Sequence, residues 1–105
     1  MPVGRETTSS SAAPQERPPS FLPDKEKAHA MGFEKKPGTD VIYPSTVTPC
    51  LNEITYIWLR NHSAFWTKPT AVDNRFLTCW LWNGTIWHKS QIQLNSVDCF
   101  LCKWF

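Results

Sequence analysis

No run of eighteen apolar residues occurs in this 105-residue chain. Its best apolar stretches, Ile54 to Leu59 and Phe76 to Trp82, are too short to cross a bilayer as a helix. The opening stretch, MPVGRETTSSSAAPQERPPSF, lacks the apolar core of a secretory signal, which predicts a cytoplasmic chain. An organellar presequence would be Arg-rich, acid-poor and helical; here Glu6 and Glu16 offset Arg5 and Arg17, and Pro14, Pro18 and Pro19 forbid a long helix. A concentration of one charge is missing too. Arg5, Arg17, Lys25, Lys27, Lys35 and Lys36 are balanced by Glu6, Glu16, Asp24, Glu26, Glu34 and Asp40. The net charge of +2 therefore belongs to the scattered Arg60, Lys68, Arg75, Lys89 and Lys103, set against Glu53, Asp73 and Asp98. Without a basic stripe, no nucleic-acid partner is expected.

No tryptophan and no cysteine precedes residue 50, and Pro69 is the only proline after Pro49. All six tryptophans (Trp58, Trp66, Trp80, Trp82, Trp87, Trp104) and all four cysteines lie in the second half. By composition, residues 1–49 cannot bury enough apolar surface to offset chain entropy and read as a disordered Pro/Ser/Thr-rich arm. Residues 50–105 read as an aromatic- and Cys-rich module. Chains near sixty residues bury only about 60% of the surface they expose when unfolded, so the module should be marginal without a disulfide, a metal or a partner. The fold class expected is thus a largely disordered N-terminal half and a small, marginally stable α+β C-terminal region.

Within the arm, Thr7 to Ser11 read as a solvated run. No two prolines stand three apart, so the PxxP register of SH3 and WW ligands is missing. Residues 24–36 can form a short helix capped by Asp24 and weakened by Gly32. Thr48-Pro49 is a plausible helix start that would place Leu51, Ile54, Trp58, His62 and Phe65 on one face. The β-branched and aromatic run Ile54 to Leu59 competes as a strand, but the sequence leans to helix there, ending by Lys68-Pro69. Asn83-Gly84 favours a two-residue type I′ turn and a β-hairpin. That register sets Trp82 against Thr85, Leu81 against Ile86, Trp80 against Trp87 and Cys79 against His88. Three indoles fall on one face, with Leu77, Cys79, Leu81, Ile86 and His88 on the other. Ile92, Leu94 and Ser96 continue with period two and suggest a third short strand.

Cys99-Phe100-Leu101-Cys102 is a CxxC which, with Cys79 or Cys50 and His88, supplies the ligand types of a zinc site. A second closely spaced ligand pair is missing, so no metal is assigned, with Cys79, His88, Cys99 and Cys102 the candidates. A redox dithiol needs a helix after the motif, and only three residues follow Cys102. Asn61-His62-Ser63 and Asn83-Gly84-Thr85 fit the glycosylation sequon, and the cysteines allow three disulfide pairings, but the leader that would carry the chain to an oxidising compartment is missing. Cys102 to Phe105 departs from a prenylation box at Lys103 and Trp104. A Cys79–His88 pair lacks an orienting third group, so no enzyme and no cofactor are expected.

The reading is therefore a small non-enzymatic intracellular protein acting through protein–protein contacts of its aromatic half, with Trp80, Trp82, Trp87, Phe100, Trp104 and Phe105 as candidate contact residues. One alternative is a peripheral membrane protein held by the aromatic C-terminus, Phe100 to Phe105. The other is a truncated isoform or young open reading frame with little evolved function, since the motifs match badly and local and global signals disagree.

Overall fold

The computed structural model describes residues 13–35, 38–39 and 41–105. The Thr7 to Ser11 run and Lys36, the last residue of the helix expected over 24–36, lie outside the described residues. Among the described residues, β1 (Thr55–Leu59), β2 (Ala64–Val72), β3 (Phe76–Trp82), β4 (Trp87–Gln93) and β5 (Val97–Cys102) form one antiparallel sheet in the order β4-β3-β2-β1-β5.

The helix expected from Thr48-Pro49 onwards is overturned. A one-turn helix α2 (Pro44–Val47) and a 3-10 turn (Thr48–Cys50) stop short, and Thr55–Leu59 is a strand. Its β-branched and aromatic side chains suit a pleated surface, and it is paired on both edges, Ile57 standing opposite Phe65 of β2 and Phe100 of β5. His62, placed on the helix face by periodicity, has φ 74° in the β1–β2 turn, where Asn61 Oδ1 accepts the Ser63 N–H at 3.0 Å. Nor does Lys68-Pro69 end the element. β2 runs through it because a bulge between Pro69 and Ala71 absorbs the missing N–H, while the Pro69 carbonyl accepts the Asn52 N–H at 2.6 Å.

The order of the strands forces curvature. β4 and β5 are the two outer strands, four strand spacings apart, or about 19 Å in a flat sheet. The connection between them is a 3-10 turn, Leu94–Ser96, and the links from Gln93 to Val97 reach about 14 Å at full stretch. A flat sheet cannot be joined this way, so the strands curl until the last can return beside the first. The register shifts at Pro69/Ala71 and Trp58/Leu59 supply local bends. The crossing turn is tied at both ends: the Leu94 N–H donates to the Arg75 carbonyl at 2.8 Å and the Arg60 N–H to the Ser96 carbonyl at 2.9 Å.

The β3–β4 hairpin turns around Gly84-Thr85, so its register sits two residues from that of a turn centred on Asn83-Gly84. Trp82 pairs with Trp87, Leu81 with His88, Trp80 with Lys89 and Cys79 with Ser90. The Asn83 side chain explains the shift: its Oδ1 accepts the N–H groups of both Thr85 and Ile86 at 2.9 Å, and Gly84 takes φ 102°. A two-residue change of register keeps every strand side chain on its own face. Ile86 leaves the ladder for the turn, and Leu94 and Ser96 belong to the 3-10 crossing instead of a third period-two strand.

The expectation of a disordered N-terminal half is overturned from residue 13 onwards. Helix α1 (Lys25–Ala30) is capped by Asp24, whose side chain accepts the Glu26 N–H at 2.9 Å. It ends where Gly32 at φ 80° lets the Phe33 and Gly32 N–H groups reach the Ala28 and His29 carbonyls. Ala28, Phe33, Ile42, Val47 and Cys50 are buried with Ile57, Leu77, Cys79, Ile92, Leu94 and every residue of β5 but Asp98 in one core. Phe33 stacks on Phe100 with centroids 5.1 Å apart, and the outer edge of β5 is covered by the Glu34–Cys99 bridge. Composition misjudged this half because a few of its apolar residues, Ala28, Phe33, Ile42 and Val47, are buried against the other half, a contribution that an average over the segment alone omits, while Leu22, Val41 and Tyr43 stay exposed. The α+β label fails as well, since the sheet carries the fold and the helices are single short pieces. A disulfide joins Cys50 to Cys102 across a sequence separation of 52, with Cα atoms 5.7 Å apart.

Candidate interaction face

Alternation along four strands collects the aromatic rings on one face of the sheet. Tyr56 pairs with Trp66, Trp58 with Ala64 and Trp82 with Trp87. Tyr56 meets Trp58 and Trp66 edge-on at 4.9 Å, and Trp82 and Trp87 lie tilted at 5.2 Å. Phe105 folds back from the C-terminus to meet the edge of Trp66 at 5.2 Å. Together these rings form a second cluster around the buried Tyr56, Trp66 and Trp87, joined to the main core through the partly buried Trp58 and Phe105.

A chain segment, not another strand, crosses this face. The Trp87 indole N–H donates to the Glu16 carbonyl at 2.9 Å, although the two residues are 71 apart in sequence. The Arg17 guanidinium lies 5.7 Å from the Trp82 ring centroid, and Phe21 packs edge-on to Trp66 at 6.3 Å and Phe105 at 5.9 Å. Two clefts remain between the segment and the indoles. One of about 580 Å³ is lined by Pro14, Glu16, Arg17, Trp82, Ile86 and Trp87. The other, about 340 Å³, is lined by Arg17, Pro18, Pro19, Ser20, Trp66 and Trp82.

Of the candidate contact residues, the structure brings Trp82, Trp87 and Phe105 to this face. Trp80 shares it beside Lys89, whose Nζ lies 5.6 Å over the ring, and the Trp80 indole N–H is buried without a partner. Phe100 is taken up by the core against Phe33, and Trp104, 42% exposed, lies against Phe33 instead of the indole face. Sequence reasoning missed Trp66, Tyr56 and Phe21. The alternation Phe65-Trp66-Thr67 carried the signal for Trp66, but it was absorbed by the helix reading. Nothing local marks Phe21, which owes its place to a contact across the chain.

The metal candidates are not gathered into one site. Cys102 is bonded to Cys50 and has no thiolate to offer. Cys79 is buried opposite Ser90 and His88 is exposed opposite Leu81, so the Cys79–His88 pair does not face across the hairpin. Burial pushes the Cys79 thiol up to about 12, leaving it protonated and a poor nucleophile. Cys99 has been brought near His29 and Asp98, with ligand atoms within 4.8 Å of one another. Two of these three are already committed. Asp98 pairs with Lys25 at 3.0 Å and Lys35 at 3.6 Å, and His29 Nδ1 shares a hydrogen bond with Glu34 at 2.6 Å. Burial and then the Asp98 charge push the Cys99 thiol to about 12. A metal ion would have to displace two ammonium groups and a proton at once.

Both sequons sit on turns, Asn61 after β1 and Asn83 after β3, where the asparagine oxygens accept backbone N–H groups. No helix among the described residues is long and apolar enough to cross a membrane. No family model, no curated protein and no solved structure matches the chain.

Proposed function

We propose that the protein is a small non-enzymatic binding module that acts through protein–protein contacts of its aromatic face, centred on Trp66, Trp82 and Trp87. The observation that carries this reading is the indole N–H of Trp87 donating to a main-chain carbonyl of a segment laid across the sheet. An indole that offers ring area and one directed donor is the side chain that interfaces favour. The agreement between strand alternation and the five-strand register supports a selected sequence over a chance one. A membrane anchor has less to work with, since Phe100 and Leu101 are buried and Trp104 is the exposed aromatic residue of the C-terminus.

The test is selection of displayed random peptides on the immobilised full chain carrying Arg17→Ala and Phe21→Ala, which remove two contacts of the segment laid across the face, repeated with Trp82→Ala or Ile92→Val added, the latter a conservative change in the other core. Peptides that are enriched on the loosened chain and with Ile92→Val, and lost with Trp82→Ala, are expected. Absence of enrichment, or enrichment indifferent to Trp82, would refute the reading.

A further inference from the structure

The segment that crosses the aromatic face has a pattern of burial that identifies what the face accepts. Between residues 13 and 24, Pro14, Pro18, Pro19 and Pro23 are half-buried, and every other residue is exposed. The prolines are therefore the most buried residues of the segment, with Arg17 and Phe21 reaching the rings from exposed positions. Proline enters such a contact with φ already fixed and with no N–H to desolvate, so an aromatic surface gains apolar contact at low ordering cost. The Trp87 donor to the Glu16 carbonyl fixes the register, and the guanidinium of Arg17 over Trp82 fixes the direction. The segment is held by few contacts: its residues other than the prolines are exposed, and the two clefts it lines with the indoles are open to solvent.

Resting on the reading of this face as a binding surface, we infer that it takes a proline-rich segment of another protein, and that residues 13–23 occupy it in cis as a displaceable pseudo-ligand. The pattern read is Pro-x-x-x-Pro-Pro, set by Pro14, Pro18 and Pro19, which differs from the three-residue spacing of PxxP ligands. Tethering gives the cis segment an effective concentration in the millimolar range, so an outside peptide binds the native chain weakly until the segment is loosened. Arg17 and Phe21 loosen it without altering the indole face, because both side chains are exposed on the segment itself.

The experiment titrates two peptides into the full chain and into the full-length double variant Arg17→Ala/Phe21→Ala, following the Trp66, Trp82 and Trp87 indole N–H signals. One peptide has the sequence of residues 13–23, and the other carries alanine in place of Pro14, Pro18 and Pro19. The variant should bind the first peptide about tenfold more tightly than the native chain does, from losses of about two- to fivefold at each contact. The alanine peptide should bind at least several-fold more weakly. Equal binding of the two peptides overturns the proline preference while leaving the face as a binding surface. Binding of neither, with the Trp87 signal moved to that of a solvent-exposed indole, overturns both readings. A Trp87 signal unmoved in the variant, or a native chain that binds as tightly as the variant, overturns the pseudo-ligand. Should the double variant fail to fold, Arg17→Ala and Phe21→Ala singly read the same ratios at two- to fivefold each.

Discussion

Breaking the Cys50–Cys102 disulfide removes the one covalent closure of the fold. Cys50 ends the helical segment that packs under the sheet and Cys102 ends β5, so the loop between them contains all five strands. For a loop closed over a separation of 52 residues, the chain-entropy relation gives a loss of about 4 kcal/mol of stability on opening, through the entropy the unfolded chain regains. Domains of this size have a total stability of roughly 5–15 kcal/mol, so the loss is between about a quarter and most of the total. The perturbation is Cys50→Ala/Cys102→Ala in the full chain, compared with native chain kept oxidised and with native chain reduced while unfolded. The assay is urea unfolding followed by tryptophan fluorescence. With a slope of about 1–2 kcal/mol per molar, the midpoint should fall by roughly 2–4 M, and the melting temperature by about 15–30 °C. Both cysteines are fully buried, so reductant added to the folded chain should act slowly, limited by opening. A midpoint shift equivalent to less than about 1 kcal/mol would refute the reasoning, because the sheet would then hold its ends together without the covalent bond. The result also bears on location: a disulfide persists in oxidising surroundings, whereas a cytoplasmic chain would hold Cys50 and Cys102 as thiols and depend on whatever stability is left.

Cys79 and Cys99, both buried with thiols near pKa 12, should resist iodoacetamide at pH 8 in the folded chain and react fully in denaturant; prompt native-state labelling seen by mass spectrometry would contradict their placement. Asp98 is desolvated, yet its bond to Lys25 and the nearby charges of Lys25, Lys35 and His29 hold its carboxyl below the usual value, while Asp98 raises Lys25. The tie between α1 and β5 should therefore be fully present above the ordinary Asp pKa of 3.8 and below the ordinary Lys pKa of 10.5. It should be lost as pH falls through the lowered Asp98 value or rises through the raised Lys25 value. Asp98→Asn should cost about 0.5–1 kcal/mol at pH 7 for this partly exposed pair and flatten the acid limb of the melting-temperature profile; an unchanged acid limb would count against the pair. Asn83→Ala leaves the Thr85 and Ile86 N–H groups without their acceptor and should cost about 1 kcal/mol in urea unfolding, with exchange of those two amides speeding up while the rest of β3 and β4 stays protected.

Local chemistry in the sequence determined a good deal of the hairpin. The alternation of Leu77, Cys79 and Leu81 with Trp80 and Trp82 fixes which side chains share a face, because a strand has period two whatever it pairs with. Asn83 and Gly84 mark the turn, since few residues accept positive φ or offer an oxygen at that reach. Asp24 marks the start of α1 for a similar local reason, whereas the end at Ala30, ahead of Gly32, falls short of the helix expected over 24–36. Tertiary structure decided the rest. Thr55–Leu59 is too short for its period to be read, and it became a strand because β2 and β5 complete its hydrogen bonds on both edges. Pro69 stands inside a strand because a bulge there serves the curvature that the short crossing from β4 to β5 imposes. The choice of Cys50 and Cys102 as the bonded pair follows from the placement of β5 beside β1, which no local pattern encodes. Residues 13–23 are ordered because the tryptophans of the other half offer them rings and a donor, and a segment's own composition cannot register burial supplied by a surface distant in sequence.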